Sequence, residues 1–378
     1  MITRPRIAVI AGTRPEAIKL APVVRRLRAQ GSAETLFVST GQHREMLAQV
    51  LAAFELEPDL DLGIMRAGQD LHDVTVATLT RLKPVLRELR PAWVVVQGDT
   101  TTAMAAALAA FYERTSVAHV EAGLRTNDRY RPFPEELNRR LVDQLSTALF
   151  APTALAREAL LREGFPEGRI LVTGNTVVDA IHHLRATGGT RRRHAAGLDL
   201  EAIPGRVVLV TSHRRESFGE GLAAICRALA RIAERAPDVT VVYPVHLNPN
   251  VDGPVRAALG GHPRIALLPP VSYVELAALL ERAHLVLTDS GGIQEEAPSF
   301  RKPVLVLRDV TERPEGVAAG VAALVGTGEE RIVEETLRLL SDRAAYERMA
   351  CGANPYGDGR AAERIVEALL DPPPAFAA

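Results

Sequence analysis

Asp99 closes the run "WVVVQGD", Glu121 closes "VAHVE", and Glu135 follows a proline in "RPFPEELNRR". One carboxylate at a loop would be unremarkable. Asp99 or Thr100 could be a helix N-cap, and Glu135 with Arg139 four residues on could be a surface ion pair worth little. Three acids at successive carboxyl ends of one sheet read instead as an acid/base cluster. Close acids drive one another's pKa values apart, which supplies a proton acceptor and a proton donor at the same pH. A carboxylate that ends a buried strand, as Glu121 does, is also costly to bury without a partner.

A second set of residues suits an anion. In "GTRPEAIKLAP" the turn and helix start account for Gly12, Pro15 and Glu16. They do not account for Arg14, because a helix N-terminus disfavours a cation; Arg14 suits a phosphate-bearing ligand. Lys19 reads either way. His213 stands beside Arg214 and Arg215 in "TSHRRESFGEGL". An exposed loop histidine is the commoner reading, but an imidazole among arginines suits an anionic leaving group. His246 in "YPVHLNPN" is a ligand contact or a turn residue. "HLVLTDSGGIQEEAPSF" places Ser290, Gly291 and Gly292 at a helix start whose free N–H groups favour an anion. A carboxylate one turn on could accept both hydroxyls of a ribose, and Arg313 in "VTERPEG" is a further candidate for a diphosphate. The glycine pair is neither the dinucleotide fingerprint nor a P-loop. No DxD or His/Cys cluster offers a metal site, so neither metal nor cofactor is expected.

The elements that must position these residues repeat along the chain. Short apolar runs at 7–11, 35–39, 93–97, 117–121, 148–151 and 170–173 form one series. Runs at 207–211, 239–245, 265–268, 285–288, 304–307 and 322–325 form another, with helical patterns such as 103–111, 222–236 and 332–340 between them. Strands apolar throughout and separated by helices predict parallel sheets covered on both faces. A chain of 378 residues suits two such domains. The expectation is an α/β fold of two doubly wound Rossmann-like domains with an interdomain cleft. The first spans residues 1–174, with a helix at about 357–371 packing back on it, and the second spans 175–356. Ligands bind at the carboxyl ends of strands in open α/β sheets, where the polar motifs fall. Residues 185–205 read as a surface excursion and "DPPPAFAA" as a frayed tail.

A net charge of −1 gives no reason to expect nucleic acid or an anionic membrane as partner. A single tryptophan, Trp93, argues against stacking platforms. No apolar run reaches membrane-spanning length and the N-terminus has no secretory h-region. The two cysteines, Cys226 and Cys351, lack metal spacing and read as incidental thiols. A cytoplasmic protein is expected.

In order, "GTRPEAIKLAP", "VQGDTTT", "HVEAGLRT", "PFPEELNR", "TGNTVVDA", "SHRRESFGEGL", "YPVHLNPNV", "TDSGGIQEEAPS", "TERPEG" and "NPYGDGRAAERIVEALL" resemble the non-hydrolysing UDP-N-acetylglucosamine 2-epimerases, which share the GT-B architecture. The resemblance covers nearly the whole chain. It implies interconversion of UDP-GlcNAc and UDP-ManNAc by anti elimination of UDP to 2-acetamidoglucal and re-addition. It assigns Asp99, Glu121, Glu135 and Arg139 to the catalytic cluster, with Arg139 orienting Glu135. It assigns Arg14 and Lys19 to substrate contact. To UDP it assigns His213, Ser290, Gly291, Gly292, Glu296 and Arg313, leaving Glu295 as helix surface. A second UDP-GlcNAc as activator would meet Gln42, Gln69, Glu135, Arg214 and His246, and a homodimer serving cell-surface polysaccharide synthesis is implied. Two departures stand out. Leu276 replaces an aromatic residue near the uracil, and Glu45 and Gly68 replace glutamine and arginine at the activator position, which should weaken a second anionic ligand. The alternatives are a hydrolysing epimerase, a 2-epimerase of a modified UDP-sugar, a GT-B glycosyltransferase and a non-catalytic UDP-sugar binder.

Overall fold

The structure, a computed structural model, describes residues 4–41, 44–66, 68–214 and 217–376, with the side chains of 44–46 left aside. The chain divides into two compact units, Met1–His183 with Tyr356–Ala378, and Leu184–Pro355.

Among the described residues the first unit holds strands β1 (Arg6–Ala11), β2 (Glu34–Ser39), β3 (Leu60–Asp61), β4 (Trp93–Gln97), β5 (Ser116–Val120), β6 (Ala148–Ala151) and β7 (Ile170–Val172). Its helices are α1 (Arg14–Gln30), α2 (Arg44–Ala53), α3 (Leu71–Leu89), α4 (Thr101–Tyr112), α5 (Glu135–Leu145) and α6 (Ala154–Arg162), and α7 (Thr176–Ala186) runs across the change of unit. The strands pair in parallel in the order β3-β2-β1-β4-β5-β6-β7. Ala8, Ile10, Val94 and Val96 pack with Val74, Leu82 and Leu86 of α3 and with the alanines of α4. The alternate residues Ile7 and Val9 are as deeply buried, so both faces of the sheet are covered.

The second unit opens with a two-stranded antiparallel ribbon, β8 (His194–Ala195) and β9 (Leu198–Asp199). Its parallel sheet comprises β10 (Arg206–Thr211), β11 (Val239–Pro244), β12 (Ile265–Leu268), β13 (Leu285–Thr288), β14 (Val304–Val306) and β15 (Ala322–Leu324), in the order β12-β11-β10-β13-β14-β15. The helices are α8 (Glu220–Arg235), α9 (Pro249–Leu259), α10 (Tyr273–Arg282), α11 (Gly291–Glu296), α12 (Pro314–Ala318), α13 (Glu329–Ser341) and α14 (Arg343–Ala350). The amphipathic face of α8 (Leu222, Ile225, Leu229, Ile232) packs on the sheet beside Ile332 and Val333 of α13. Each sheet is thus doubly wound, and its strand order reverses at one place, between β1 and β4 in the first and between β10 and β13 in the second. Such reversals are where open α/β sheets bind ligands.

Two expectations are corrected. The tail after the expected closing helix, residues 371–376, is not frayed. Helix α15 (Ala361–Leu370) packs against α1, with its first-turn N–H groups of Ala361 and Ala362 donating to Asp179 at 3.2 and 2.9 Å. Phe376 beyond it is 3% exposed and meets Trp93 and Phe150 edge-on at 6.3 and 6.2 Å. Residues 185–205 are also more than an excursion. Ala195, Leu200 and Ile203 are buried, and Arg282 donates to the carbonyls of Leu200, Ile203 and Gly205. No helix among the described residues is long and apolar enough to cross a membrane.

Candidate active site

In the first unit the turns after β1, β4 and β5 lie side by side. Glu16, in the first turn of α1, is buried and accepts from the N–H groups of Gly12 and Thr13 at 2.9 and 2.6 Å. Its other oxygen accepts from the Thr100 hydroxyl at 2.7 Å, tying the β1–α1 turn to the β4–α4 turn. Burial pushes this carboxyl above its ordinary value, and the donors from Thr100, Thr13 and Gly12 offset that only in part. The same first stretch of α1 carries Arg14, half-buried, and Lys19, which is 8% exposed.

Lys19 forms an ion pair with Glu121, whose carboxylate also accepts from the Asn175 amide at 3.2 Å. Glu121 lies one residue beyond β5 with φ 71°, a left-handed conformation that few residues with a Cβ adopt. Two residues on, Gly123 has φ 87°, and a Cβ there would sit 2.4 Å from the Ala156 carbonyl oxygen, so the turn admits only glycine. Asp99, half-buried at the end of the neighbouring strand β4, accepts from Arg139 Nε at 3.0 Å and from a terminal nitrogen of the same guanidinium. Its backbone carbonyl accepts from the Asn138 amide at 3.0 Å. Arg139 is itself 3% exposed and also donates to the fully buried Glu136 at 3.3 Å. The Arg139 guanidinium is thus shared between Asp99 and Glu136. Glu135 opens α5, next to Glu136 and one turn before Arg139.

In the second unit, Asp289 organises the loops after β10 and β13. It is fully buried, and one oxygen accepts from the Ser212 hydroxyl and the N–H groups of His213 and Arg214 at 2.8 to 2.9 Å. The other lies 3.2 Å from His213 Nδ1. Burial alone would push Asp289 up, but the His213 ring and the N–H donors outweigh it and hold the group below its ordinary value. The His213 ring stacks on His246 at 5.7 Å and an interplanar angle of 20°. Ser290 caps the short helix α11, and its N–H donates to the Thr288 hydroxyl at 2.9 Å.

Two guanidiniums reach the same glycine. A Cβ on Gly291 would lie 3.6 Å from Arg313 Cζ and 3.8 Å from an Arg214 nitrogen. Arg313 Nε donates to Glu295 at 2.6 Å, and Glu295 is 1% exposed, so this acid is a buried anchor rather than helix surface. Glu312 stands 3.4 Å from Arg214 and accepts from Arg308 at 2.6 Å. Burial pushes its carboxyl up, but Arg313, Arg214 and Arg308 outweigh that and lower it to about 2. Glu296 is 8% exposed, and Leu276 is half-buried on α10.

Of the residues expected at an activator site, Gln42 lies outside the described residues, as does the side chain of Glu45. Gln69 accepts from the Arg66 N–H at 2.8 Å in the first unit, while Arg214 and His246 belong to the second. Asp289 and Glu312 were given no role in the sequence reading, Glu16 was read only as a first-turn acid and Glu295 as helix surface. The sole local signal was an acid flanking each expected contact. Among the described residues, no three His, Cys, Asp or Glu side chains gather as a metal would require.

The family model for UDP-N-acetylglucosamine 2-epimerase matches residues 25–370. A UDP-N-acetylglucosamine 2-epimerase of Yersinia pestis is 52% identical over 368 residues, covering 96% of this chain and 98% of that protein. The crystal structure of UDP-GlcNAc 2-epimerase from Neisseria meningitidis bound to UDP-GlcNAc is similar with a TM-score of 0.89 at 44% identity, covering 97% of this chain and 100% of that one. A Methanocaldococcus jannaschii UDP-GlcNAc 2-epimerase in complex with UDP-GlcNAc and UDP gives 0.82 at 35% identity, covering 96% and 99%. The chain belongs to the UDP-N-acetylglucosamine 2-epimerase family.

Proposed function

We propose that this protein interconverts UDP-GlcNAc and UDP-ManNAc without hydrolysis. The observation that carries the reading is the fixed carboxylates Asp99 and Glu121 at the ends of neighbouring strands, each paired with its own cation, Arg139 and Lys19. The hydrogen at C2 of the sugar is hardly acidic, so a single deprotonation is not a workable route. Elimination is workable: one carboxylate of the set Asp99, Glu121 and Glu135 takes the C2 proton while the C1–O bond to UDP breaks, leaving 2-acetamidoglucal. Another group of the set returns a proton to the opposite face of C2 as UDP adds back to C1, so the sum is an isomerisation. His213, Ser290, Gly291, Gly292, Glu296 and Arg313 hold UDP through both steps, and Arg14 contacts substrate. Arg214 joins them, since it and Arg313 share Gly291. Two cations at the phosphates stabilise the departing charge without a metal. In this reading Gln42, Gln69, Glu135 and His246 meet a second UDP-GlcNAc, Arg214 of the expected activator set being placed at the UDP phosphates instead, and the working form is a cytoplasmic homodimer.

Incubation with UDP-GlcNAc in D2O, followed by NMR, tests the proposal. The expected product is UDP-ManNAc carrying deuterium at C2. Free ManNAc with UDP would establish the hydrolysing alternative, and product without deuterium would overturn elimination.

A further inference from the structure

His119 lies on β5, fully buried, and neither the motif reading nor the proposed chemistry uses it. Its Nε2 is 2.8 Å from the carbonyl oxygen of Gly98, the residue before Asp99. Its Nδ1 is 2.7 Å from the carboxylate of Asp143, which sits two turns along the helix that Glu135 opens. His119 itself is two residues before Glu121. One imidazole therefore bonds to the turn that presents the first acid and the helix that presents the third, from the strand that presents the second. Asp143 is fully buried, and its second oxygen is 2.7 Å from Arg125, so the far end of the link is anchored. Gly98 has φ 72° and its N–H donates to the Val120 carbonyl, so the ring supports a turn already joined to β5 by the backbone.

We infer that His119 is a positioning residue for the acid/base set, fixing Asp99, Glu121 and Glu135 relative to one another through Gly98 and Asp143. A strand histidine is otherwise a poor choice for this place: a valine or phenylalanine would fill the core without two polar atoms to satisfy. Proton transfer at carbon is sensitive to donor–acceptor placement, and misplacement by about 1 Å costs about 100-fold. The role rests on the epimerase reading above.

The test uses the full chain with UDP-GlcNAc and its C2-deuterated form. His119→Phe, which keeps a planar ring and removes both bonds, should lower kcat about 100-fold, and His119→Gln, which keeps one donor, about tenfold. The affinity for UDP, measured by calorimetry, should stay within about twofold, because the proposed UDP contacts lie in the other unit. The deuterium isotope effect on kcat should rise in both variants as the proton step becomes slower. Asp143→Asn keeps its shape but offers His119 a neutral amide, a weaker partner than the carboxylate. It should give about a tenfold loss of kcat with the same rise in isotope effect, and it decides the matter if the His119 variants do not fold. Variants with wild-type kcat overturn the inference. So does a fall in kcat with an unchanged isotope effect, which reports only a smaller folded fraction. A wild-type chain that leaves UDP-GlcNAc unconverted overturns the epimerase reading as well, whereas an active wild type beside equally active variants overturns the positioning role alone.

Discussion

Glu121 combines two costs that a purely structural residue would avoid. Its backbone is left-handed at φ 71°, worth about 1–3 kcal/mol of strain for a residue with a Cβ, and its carboxylate is buried against Lys19. Strain held in place by the surrounding turn is what a group with one required orientation needs. Glu312 presents the opposite case, an acid stabilised by its setting. Its pKa lies at about 2 in the folded chain against 4.5 as the ordinary value. A depressed carboxylate contributes stability above the unfolded value and loses it as pH falls through the folded one. The contribution, on the order of 3 kcal/mol, is thus whole above about pH 5 and fades toward pH 2. Urea unfolding across pH should show Glu312→Gln less stable than the wild type near neutrality, with the gap shrinking steadily from about pH 5 to about pH 3. A gap that does not depend on pH would refute this account.

At the scale of elements, the parallel strands other than the two-residue β3 were legible because the central runs are mostly apolar and helical patterns separate them. The observed ends of the expected strands differ by at most one residue, as at β5, where Glu121 leaves the strand for its left-handed turn. The ribbon of β8 and β9 was not legible: its strands are two residues long, and its anchors, the Arg282 guanidinium and Glu275, come from α10 far along the chain. The same holds for the buried acids. Glu295 finds Arg313 eighteen residues on, and Asp289 holds a loop more than seventy residues earlier, so no local pattern announces them. The closing tail misled because a chain terminus reads as frayed, whereas Phe376 packs on Trp93 and Phe150. Phe376→Ala should cost about 3 kcal/mol of stability, and the emission of Trp93, the single tryptophan, should shift to the red. An unchanged spectrum and midpoint would mean that the contact is idle in solution.

At the scale of the whole molecule, the two units differ in how the chain builds them. Leu184–Pro355 is one continuous stretch containing all six strands of its sheet, its core and the loops around Asp289, Gly291 and Arg313. Expressed alone, 184–355 should fold and bind UDP within about tenfold of the intact chain, yet turn over no UDP-GlcNAc, as calorimetry and NMR would show. Failure of the folded fragment to bind would mean that residues of the first unit are needed to hold UDP. The first unit is discontinuous: its sheet is complete by residue 172, but α15 and Phe376 seal it only after the second unit has been made. During synthesis on the ribosome, the surfaces of α1 and Trp93 that α15 and Phe376 cover therefore lack that cover until the second unit has been made. Nascent chains halted before codon 356 lack that cover and should bind chaperones more than full-length chains do, as crosslinking on stalled ribosomes would show.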